Sequence, residues 1–195
     1  MKQEVLERFC SKYAITANDA ARLLERMTPV SYPRGSFLVR EGESNSHFYI
    51  IASGIWRGSF VNDDGTDQSL WFASAGEAVF SIWGYAGRRK SLITIEAMSD
   101  SELYAISRTE LEEWFSSSVQ AANFGRILFE RQFLDLETWL ISTAVPRAKE
   151  RYLRLLEDNP ELLLYVPLKY IASYLWITPQ SLSRIRAELV GRQED

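Results

Sequence analysis

Residues 167–189 read PLKYIASYLWITPQSLSRIRAEL, and this stretch decides the fold of the C-terminal part of the chain. Its apolar residues from Leu168 to Leu175 recur at the three- and four-residue spacing of one helix face. A second helix is predicted after a short break, because Thr178 suits an N-cap and Pro179 suits the first helical position. Two short helices joined by a tight turn predict a helix-turn-helix.

The second of these helices carries side chains that suit the recognition of DNA bases. Its apolar stripe consists of Leu182, Ile185 and Leu189. This stripe leaves five polar residues outward: Gln180, Ser181, Ser183, Arg184 and Arg186. Glutamine pairs bidentately with adenine, arginine with guanine or a phosphate, and serine with either. An ordinary amphipathic helix pair with a solvated face would show the same pattern, so both interpretations stay open on this stretch alone.

Composition excludes several classes of protein. The 195 residues suit one large or two small domains, and no stretch approaches the ~18 apolar residues of a membrane span. The charged N-terminus does not resemble a signal peptide, so we expect a cytoplasmic protein without a membrane partner. Cys10 and His47 are each single in the chain, which predicts no disulfide, no metal site and no catalytic triad.

The net charge of −4 is unevenly divided along the chain. Residues 1–145 hold 14 Lys and Arg against 19 Asp and Glu, whereas residues 146–195 hold 8 against 7. A slightly basic C-terminal part permits DNA binding but gives weak non-specific attraction. Tight binding would therefore need a dimer or several specific contacts.

The sequence pattern from Ser36 to Ile106 predicts a β domain. Two short helices are predicted at 3–13 and 17–27, closed by Pro29 and Pro33. Short β-prone runs separated by glycines follow: Ser36–Arg40, His47–Ala52, Ile55–Val61, Gln68–Phe72, Leu92–Met98 and Glu102–Ile106. Many short strands at this spacing predict an antiparallel roll or barrel. The segment 62–66 predicts a hairpin tip, in which Gly65 can take a positive φ.

A long helix is predicted at Val119–Thr143, after a short one at Arg108–Phe115. The long helix has two apolar faces, one with Phe129, Phe133, Leu136 and Leu140, the other with Phe124, Ile127, Leu134 and Ile141. One face can cover the β domain while the other pairs with a second copy, which predicts a homodimer. A helix wedged between two domains of one chain would show the same pattern. Pro146 predicts a hinge before a further helix at Arg147–Glu157.

The order of β roll, long helix and helix-turn-helix resembles the Crp/Fnr superfamily of bacterial transcription regulators. The glycines of YPRGSFLVREGE, YIIASGIWRG and NDDGTDQSLWF lie where that fold turns its corners. The resemblance implies an α+β fold with a jelly-roll-like, double-stranded β-helix domain in residues 1–116. It implies a central dimerisation helix in 117–145 and a winged-helix-like helix-turn-helix domain in 146–195.

The same resemblance assigns roles in binding double-stranded DNA. It implies a homodimer that presents two recognition helices to successive major grooves, about 34 Å apart. The likeliest base readers are then Gln180, Ser181 and Arg184. Four residues are expected nearer the DNA backbone: Lys169, Ser173, Thr178 and Arg186. RNA polymerase is a further candidate partner of such a regulator.

One departure from the family pattern lies in the turn between the two helices, where Trp176 stands in place of the usual glycine. A turn that requires positive φ penalises a bulky residue by on the order of 1 kcal/mol. Either the turn has another geometry here or it accepts the strain. The indole could pack into the domain, contact a partner protein or obstruct DNA.

A second departure lies in the ligand cassette, which in nucleotide-binding members runs Gly-Glu, a short helix and Arg-Ser/Thr-Ala. Gly76 and Glu77 match its start, but Lys90-Ser91-Leu92 replaces the end, after Arg88 and Arg89 in a longer insertion. A lysine cannot provide the bidentate fork of an arginine. We therefore expect a roll that does not bind cyclic AMP in the standard way, and the basic run also fits a solvated loop. The aromatic residues Phe80, Trp83 and Tyr85 would either stack on a ligand or fill the cavity.

Three function classes follow. The leading one is a sequence-specific transcription regulator whose roll transmits a signal, from a cyclic nucleotide or another small effector, to the DNA-binding domain. The alternative is a small-molecule-binding or protein-interaction module with a degenerate helix-turn-helix. A metal-dependent β-roll enzyme is disfavoured because a single histidine cannot build its ligand cluster.

Overall fold

The computed structural model describes residues 1–87, 89–144 and 148–190. Two helices, α1 (Gln3–Tyr13) and α2 (Ala17–Leu24), precede the strands. The strands are β1 (Thr28–Tyr32), β2 (Phe37–Val39), β3 (Phe48–Ser53), β4 (Trp56–Val61), β5 (Asp67–Ala73), β6 (Ala78–Val79), β7 (Thr94–Ala97) and β8 (Ser101–Ile106). The remaining helices are α3 (Ile82–Tyr85), α4 (Arg108–Phe115), α5 (Val119–Ala144), α6 (Ala148–Asp158), α7 (Leu162–Tyr165), α8 (Leu168–Tyr174) and α9 (Pro179–Val190).

The strands form two antiparallel sheets, ordered β1-β8-β3-β6 and β2-β7-β4-β5. Strand β3 explains how this roll joins the helices. Tyr49 and Ile51 pack inside the roll, whereas Phe48 and Ile50 pack against the helical layer. Because both faces of β3 are buried, its sequence is a continuous apolar run and does not alternate between apolar and polar residues. The predicted α+β class with an antiparallel roll is confirmed.

An aromatic cluster packs helices α1 and α4 against the long helix α5. Phe9 and Tyr13 of α1 have ring centroids 5.8 and 6.0 Å from that of Phe124 in α5. Trp114 of α4 lies 5.6 Å from the same ring. All four side chains are almost completely buried, so the N-terminal half of α5 belongs to the core of the roll domain.

The C-terminal half of α5 is different, because large apolar side chains there remain on the surface. They are Phe133, Leu134, Leu136, Leu140 and Ile141, each at least 49% exposed. A run of this size on one helix is unusual for a monomer surface. The exposed set draws on both of the apolar faces predicted from the sequence, so the helix is divided along its length and not around its circumference, and the predicted division by face is wrong.

The C-terminal helices share a core of their own that also reaches the roll. Ile171, Ala172 and Leu175 of α8 and Leu182 of α9 are buried together with Tyr152 of α6. Ile55 and Met98 from the roll close this cluster. Residues 148–190 contain no strand, so the described part of this domain has no wing. The predicted hinge at Pro146 and the boundary between residues 145 and 146 lie outside the described residues.

Two elements differ from the sequence prediction. Strand β1 was expected to be a break, because it contains Pro29. Within the described residues it is an edge strand that pairs with β8, and a missing backbone donor is tolerated at an edge. Strand β6 has two residues and was not predicted. The hairpin tip is as predicted, with the amide of Asn62 donating to Thr66 at 2.9 Å and Gly65 at φ 82°.

Candidate nucleic-acid interface and ligand cassette

Helix α9 begins at the predicted residue because Thr178 caps it. The Thr178 Oγ1 accepts a hydrogen bond from the amide of Ser181 at 3.1 Å, and its carbonyl accepts the first helical bond from Leu182. Pro179 follows at the first helical position, where no donor is needed. The Ser181 hydroxyl lies 3.0 Å from Thr178 Oγ1, so this side chain takes part in the cap and is half-buried.

The outward face of α9 is open to solvent. Gln180, Ser183, Arg184 and Arg186 are all exposed, while Leu182 is buried beneath them. Among the three predicted base readers, Gln180 and Arg184 are thus freely presented, and Ser181 is turned toward the cap. The face offers an amide and two guanidinium groups, which are the side-chain chemistries that read base edges and phosphates.

The turn before α9 keeps the left-handed backbone that favours glycine. Trp176 has φ 54°, so the chain accepts the strain and does not change the geometry of the turn. Its indole is 46% exposed and lies 6.1 Å from the ring of Trp139 in α5. The side chain contacts the central helix and stays half exposed, a contact that none of the alternatives drawn from the sequence named.

The outward face of α8 lies against strand β5 of the roll. The Ser173 Oγ accepts a hydrogen bond from the Ser69 amide at 2.6 Å and donates to the Asp67 carbonyl at 3.1 Å. The Gln68 side-chain amide donates to the Ser173 carbonyl. Lys169 is exposed, and its ammonium lies 4.8 Å from the centre of the Tyr170 ring. Ser173, predicted near the DNA backbone, therefore faces protein in this arrangement.

Arg57 organises the roll side of this contact and was not singled out by the sequence. It is 1% exposed, its Nε donates to Ser69 Oγ at 2.7 Å and its Nη2 to Asp67 Oδ1 at 2.5 Å. The guanidinium carbon lies 3.8 Å from the centre of the Tyr170 ring of α8. Burial raises the pKa of nearby Glu96, and the Arg57 charge opposes that rise. Its signal in the sequence was that it is the one charged residue of strand β4.

In the ligand cassette, Glu77 is already bound by the protein itself. One carboxylate oxygen forms an ion pair with Lys12 of α1, and the other accepts from the Ser74 amide at 2.8 Å. Gly76 has φ 86°, and the Arg8 side chain covers it so closely that a Cβ there would lie 2.9 Å from Arg8 Cδ. Lys12 of α1 and the Ser74 amide therefore engage the carboxylate that the resemblance expects to bind a ribose.

The other end of the cassette is split between buried and exposed residues. Ser91 is 1% exposed, accepts from the Ser81 hydroxyl at 2.9 Å and donates to the Ile93 carbonyl at 2.8 Å. Arg89 and Lys90 are exposed, and Arg88 lies outside the described residues. Among the described residues, no hydrogen bond or ion pair joins Arg89, Lys90 or Ser91 to Glu77, so these three and Glu77 do not form one site in this structure.

Two of the three cassette aromatics fill space inside the protein. Phe80 and Tyr85 are buried, and their ring centroids lie 6.2 and 6.0 Å from that of Phe129 in α5. The Tyr85 hydroxyl donates to Glu112 at 2.9 Å, and burial with this contact raises the tyrosine pKa. Trp83 remains 39% exposed. Phe80 and Tyr85 thus connect the cassette to the central helix.

Neither a metal cluster nor a membrane span is present in the described part of the chain. Residues 1–87, 89–144 and 148–190 bring together no group of three His, Cys, Asp or Glu side chains that could hold a metal ion. In those same ranges, every helix is too short or too polar to cross a membrane.

Comparison with known proteins shows which fold the chain shares. The family model of the cyclic nucleotide-binding domain matches residues 29–118. The FixK2 structure from Bradyrhizobium japonicum is 22% identical, covers 86% of each chain and has a TM-score of 0.73. A structure described as a Crp/Fnr-family regulator from Eubacterium rectale is 17% identical, covers 91% of this chain and 85% of its own, and has a TM-score of 0.66. The chain therefore has the fold of these regulators, as the sequence resemblance predicted, and the match to the cyclic nucleotide-binding domain lies within it.

A curated relative is similar over part of its length. The cyclic nucleotide-gated channel alpha-4 of Mus musculus is 28% identical over 164 residues, which are 76% of this chain. The chain spans only 28% of the length of that channel. The likeness therefore covers a minor part of a longer protein, whereas the two regulator structures match over 86% and 85% of their own chains.

Proposed function

We propose that this protein is a homodimeric, sequence-specific DNA-binding transcription regulator of the Crp/Fnr type that acts in the cytoplasm. The observation that carries the proposal is helix α9, which Thr178 caps and which presents Gln180 and Arg184 on an exposed face. This helix follows a tight turn after α8, in the position of a recognition helix. In a DNA complex, Arg186 and Lys169 would contact the backbone near those two base readers.

The dimer is supported by the uncovered half of α5. Leu136 and Leu140 are 58% and 61% exposed on one face of this helix. Pairing with the same helix of a second copy would bury both, and a two-fold dimer would present two copies of α9 to one duplex. With a chain of net charge −4, the second copy also provides the additional contacts that specific binding needs.

We further propose that the roll does not hold cyclic AMP in the standard way. The Glu77 carboxylate is bound by Lys12 and Ser74, and the Ser91 hydroxyl by Ser81 and Ile93. A cyclic nucleotide would have to break both sets of contacts, and Lys90 would replace the arginine fork. A different small effector is the alternative occupant of the roll, and RNA polymerase is a further candidate partner of the regulator.

Selection of binding sites from random duplex DNA by the purified protein, at physiological salt and without added ligand, tests the proposal. Enrichment of one two-fold motif with half-sites about one helical turn apart supports it. Weak, strongly salt-dependent binding to every sequence contradicts sequence-specific reading in the ligand-free state.

A second candidate is an interaction or ligand-binding module whose helix-turn-helix no longer reads DNA. The contact of Ser173 with β5 and of Trp176 with Trp139 favours it, because both side chains face protein. This module would show thermal shifts with small molecules and no protected site on any duplex. The site selection therefore separates the two functions.

A further inference from the structure

Helix α8 is held on the roll by a compact set of polar contacts. The Ser173 hydroxyl has two partners in β5, and the Ser173 carbonyl accepts from Gln68. Its Oγ also lies 3.3 Å from Ser69 Oγ. Each partner is separated from Ser173 by more than 100 residues of chain, so this contact belongs to the tertiary arrangement of two domains.

The roll side of the contact is rigid because Arg57 is buried within it. Its guanidinium is fixed by Ser69 and Asp67 and lies flat enough on Tyr170 for a cation–π contact at 3.8 Å. We define the docking contact as Arg57, Gln68 and Ser69 of the roll with Tyr170 and Ser173 of α8. A second contact, between Trp176 and Trp139, holds the turn against the central helix.

The docking contact uses the side of α8 that DNA would need. In a helix-turn-helix complex the first helix crosses the phosphate backbone while the second enters the major groove. Here strand β5 lies against the outward face of α8. The carboxylates of Asp67 and Glu96 lie beside Arg57, on the roll side of this contact. The positive charge of Lys169 acts on Glu96, where a complex would offer it a phosphate.

We propose that the docking contact is autoinhibitory: the β4-β5 hairpin occupies the backbone-binding side of α8, and DNA binds the released helix-turn-helix. This inference rests on the proposed function as a DNA-binding regulator. The docked and released forms are two states of one protein, and DNA selects the released state. The apparent affinity for DNA is then reduced by the fraction of protein that is docked.

A reversible cross-link tests this directly. The Ser69→Cys, Ser173→Cys double variant, with Cys10→Ser to remove the natural thiol, places two sulfur atoms where oxygen atoms now lie 3.3 Å apart. We expect a disulfide to form on mild oxidation, as followed by thiol titration. Fluorescence anisotropy with the duplex obtained by site selection should show binding at least about tenfold weaker in the oxidised protein, with recovery on reduction.

The outcomes distinguish the inference from the function on which it rests. Equal affinity of the oxidised and reduced forms would overturn autoinhibition while leaving DNA binding intact. Failure of the two cysteines to cross-link would also overturn it, because the contact would then not exist in solution. If wild type and the reduced variant both fail to bind any duplex, the proposed function fails and the inference with it.

A milder variant changes one side chain of the docking contact and introduces no cross-link. Gln68→Ala removes one hydrogen bond to α8 without changing the charge. Loss of about one net hydrogen bond should raise the affinity for the same duplex about fivefold if the docked form predominates. The control is Asn62→Ala, which removes an amide at the tip of the same hairpin and should leave the affinity unchanged. Weaker or unchanged binding by Gln68→Ala would count against the proposal.

Discussion

The turn residue Trp176 gives the sharpest test of the local geometry. At φ 54° every residue with a Cβ is strained by about 1 kcal/mol, whereas glycine is not. Trp176→Gly and Trp176→Ala both remove the indole, so they lose the same packing against Trp139. The two variants differ mainly in backbone strain, and the glycine variant should be about 1 kcal/mol more stable than the alanine variant. This order is the reverse of that expected at a helical position.

The packing lost in both variants can be estimated from burial. Trp176 is 46% exposed, so about half of a surface of roughly 200 Å² is hidden. At ~25 cal/mol per Å² this burial stabilises the fold by about 2–3 kcal/mol. We therefore expect Trp176→Ala to lower the free energy of unfolding by about 2–3 kcal/mol and Trp176→Gly by about 1–2 kcal/mol.

Urea unfolding followed by far-UV circular dichroism measures both values, at one fixed protein concentration because a dimer would link stability to concentration. Trp139→Ala is the matched control: it removes the partner ring and leaves the turn unchanged. The double variant with Trp176→Ala should give a coupling energy of about 0.5–1.5 kcal/mol. If the alanine variant is as stable as the glycine variant, the turn is not left-handed in solution and the reasoning is refuted.

Three further predictions concern the dimer, the base readers and pH. Leu136→Glu places a charge on the exposed apolar face of α5, so it should convert the dimer to a monomer in sedimentation velocity. The control Glu137→Gln, on the same helix, should stay dimeric. A dimeric Leu136→Glu protein would show that this face is not the interface. Arg184→Ala should cost about 1–3 kcal/mol of binding to the selected duplex and relax specificity at one base position, whereas an unchanged motif and affinity would place Arg184 outside the interface. Burial raises the pKa of Glu96 above its ordinary value of 4.5, so between the two pKa values the folded state keeps a proton that the unfolded chain releases. The free energy of unfolding therefore falls as the pH rises from 4.5 through the folded-state pKa. Glu96→Gln should flatten this part of the pH–stability curve, and an unaltered slope would show that Glu96 is not responsible for it.

Features that depend on local chemistry were predictable from the sequence. The start of α9 follows from a threonine cap and a proline within two residues, and the structure has the cap as expected. The hairpin tip at 62–66 follows in the same way from Gly65. Trp176 was recognisable as a misfit in a turn that requires glycine. Its packing direction was not, because Trp139 lies on another helix.

Features that depend on distant partners were not predictable. Strand β1 contains Pro29 and is followed by Pro33, and it is stabilised by pairing with β8, whose residues lie 69 to 77 positions further along the chain. Arg57 is a buried charged residue in strand β4, and its partner Tyr170 lies in the other domain. Lys12 gave no sign that it would bind Glu77, because they are 65 residues apart. Only the tertiary fold brings these charges together, so a single sequence cannot assign them to a site.

The distribution of these contacts suggests how a signal in the roll would reach the helix-turn-helix. Phe80 and Tyr85 of the cassette pack on Phe129 of α5, and the same helix carries Trp139 against Trp176. A change at the cassette can therefore bias the DNA-binding domain through α5, while the docking contact links that domain to the β4-β5 hairpin. The two routes are separable, because Trp139→Ala interrupts the first and Gln68→Ala the second. Contiguous packing alone does not establish coupling, which requires that both ends bias one two-state element. The helix-turn-helix, with its docked and released states, is such an element. A difference between Trp139→Ala and Gln68→Ala in how they shift its affinity for DNA would show which route carries the signal.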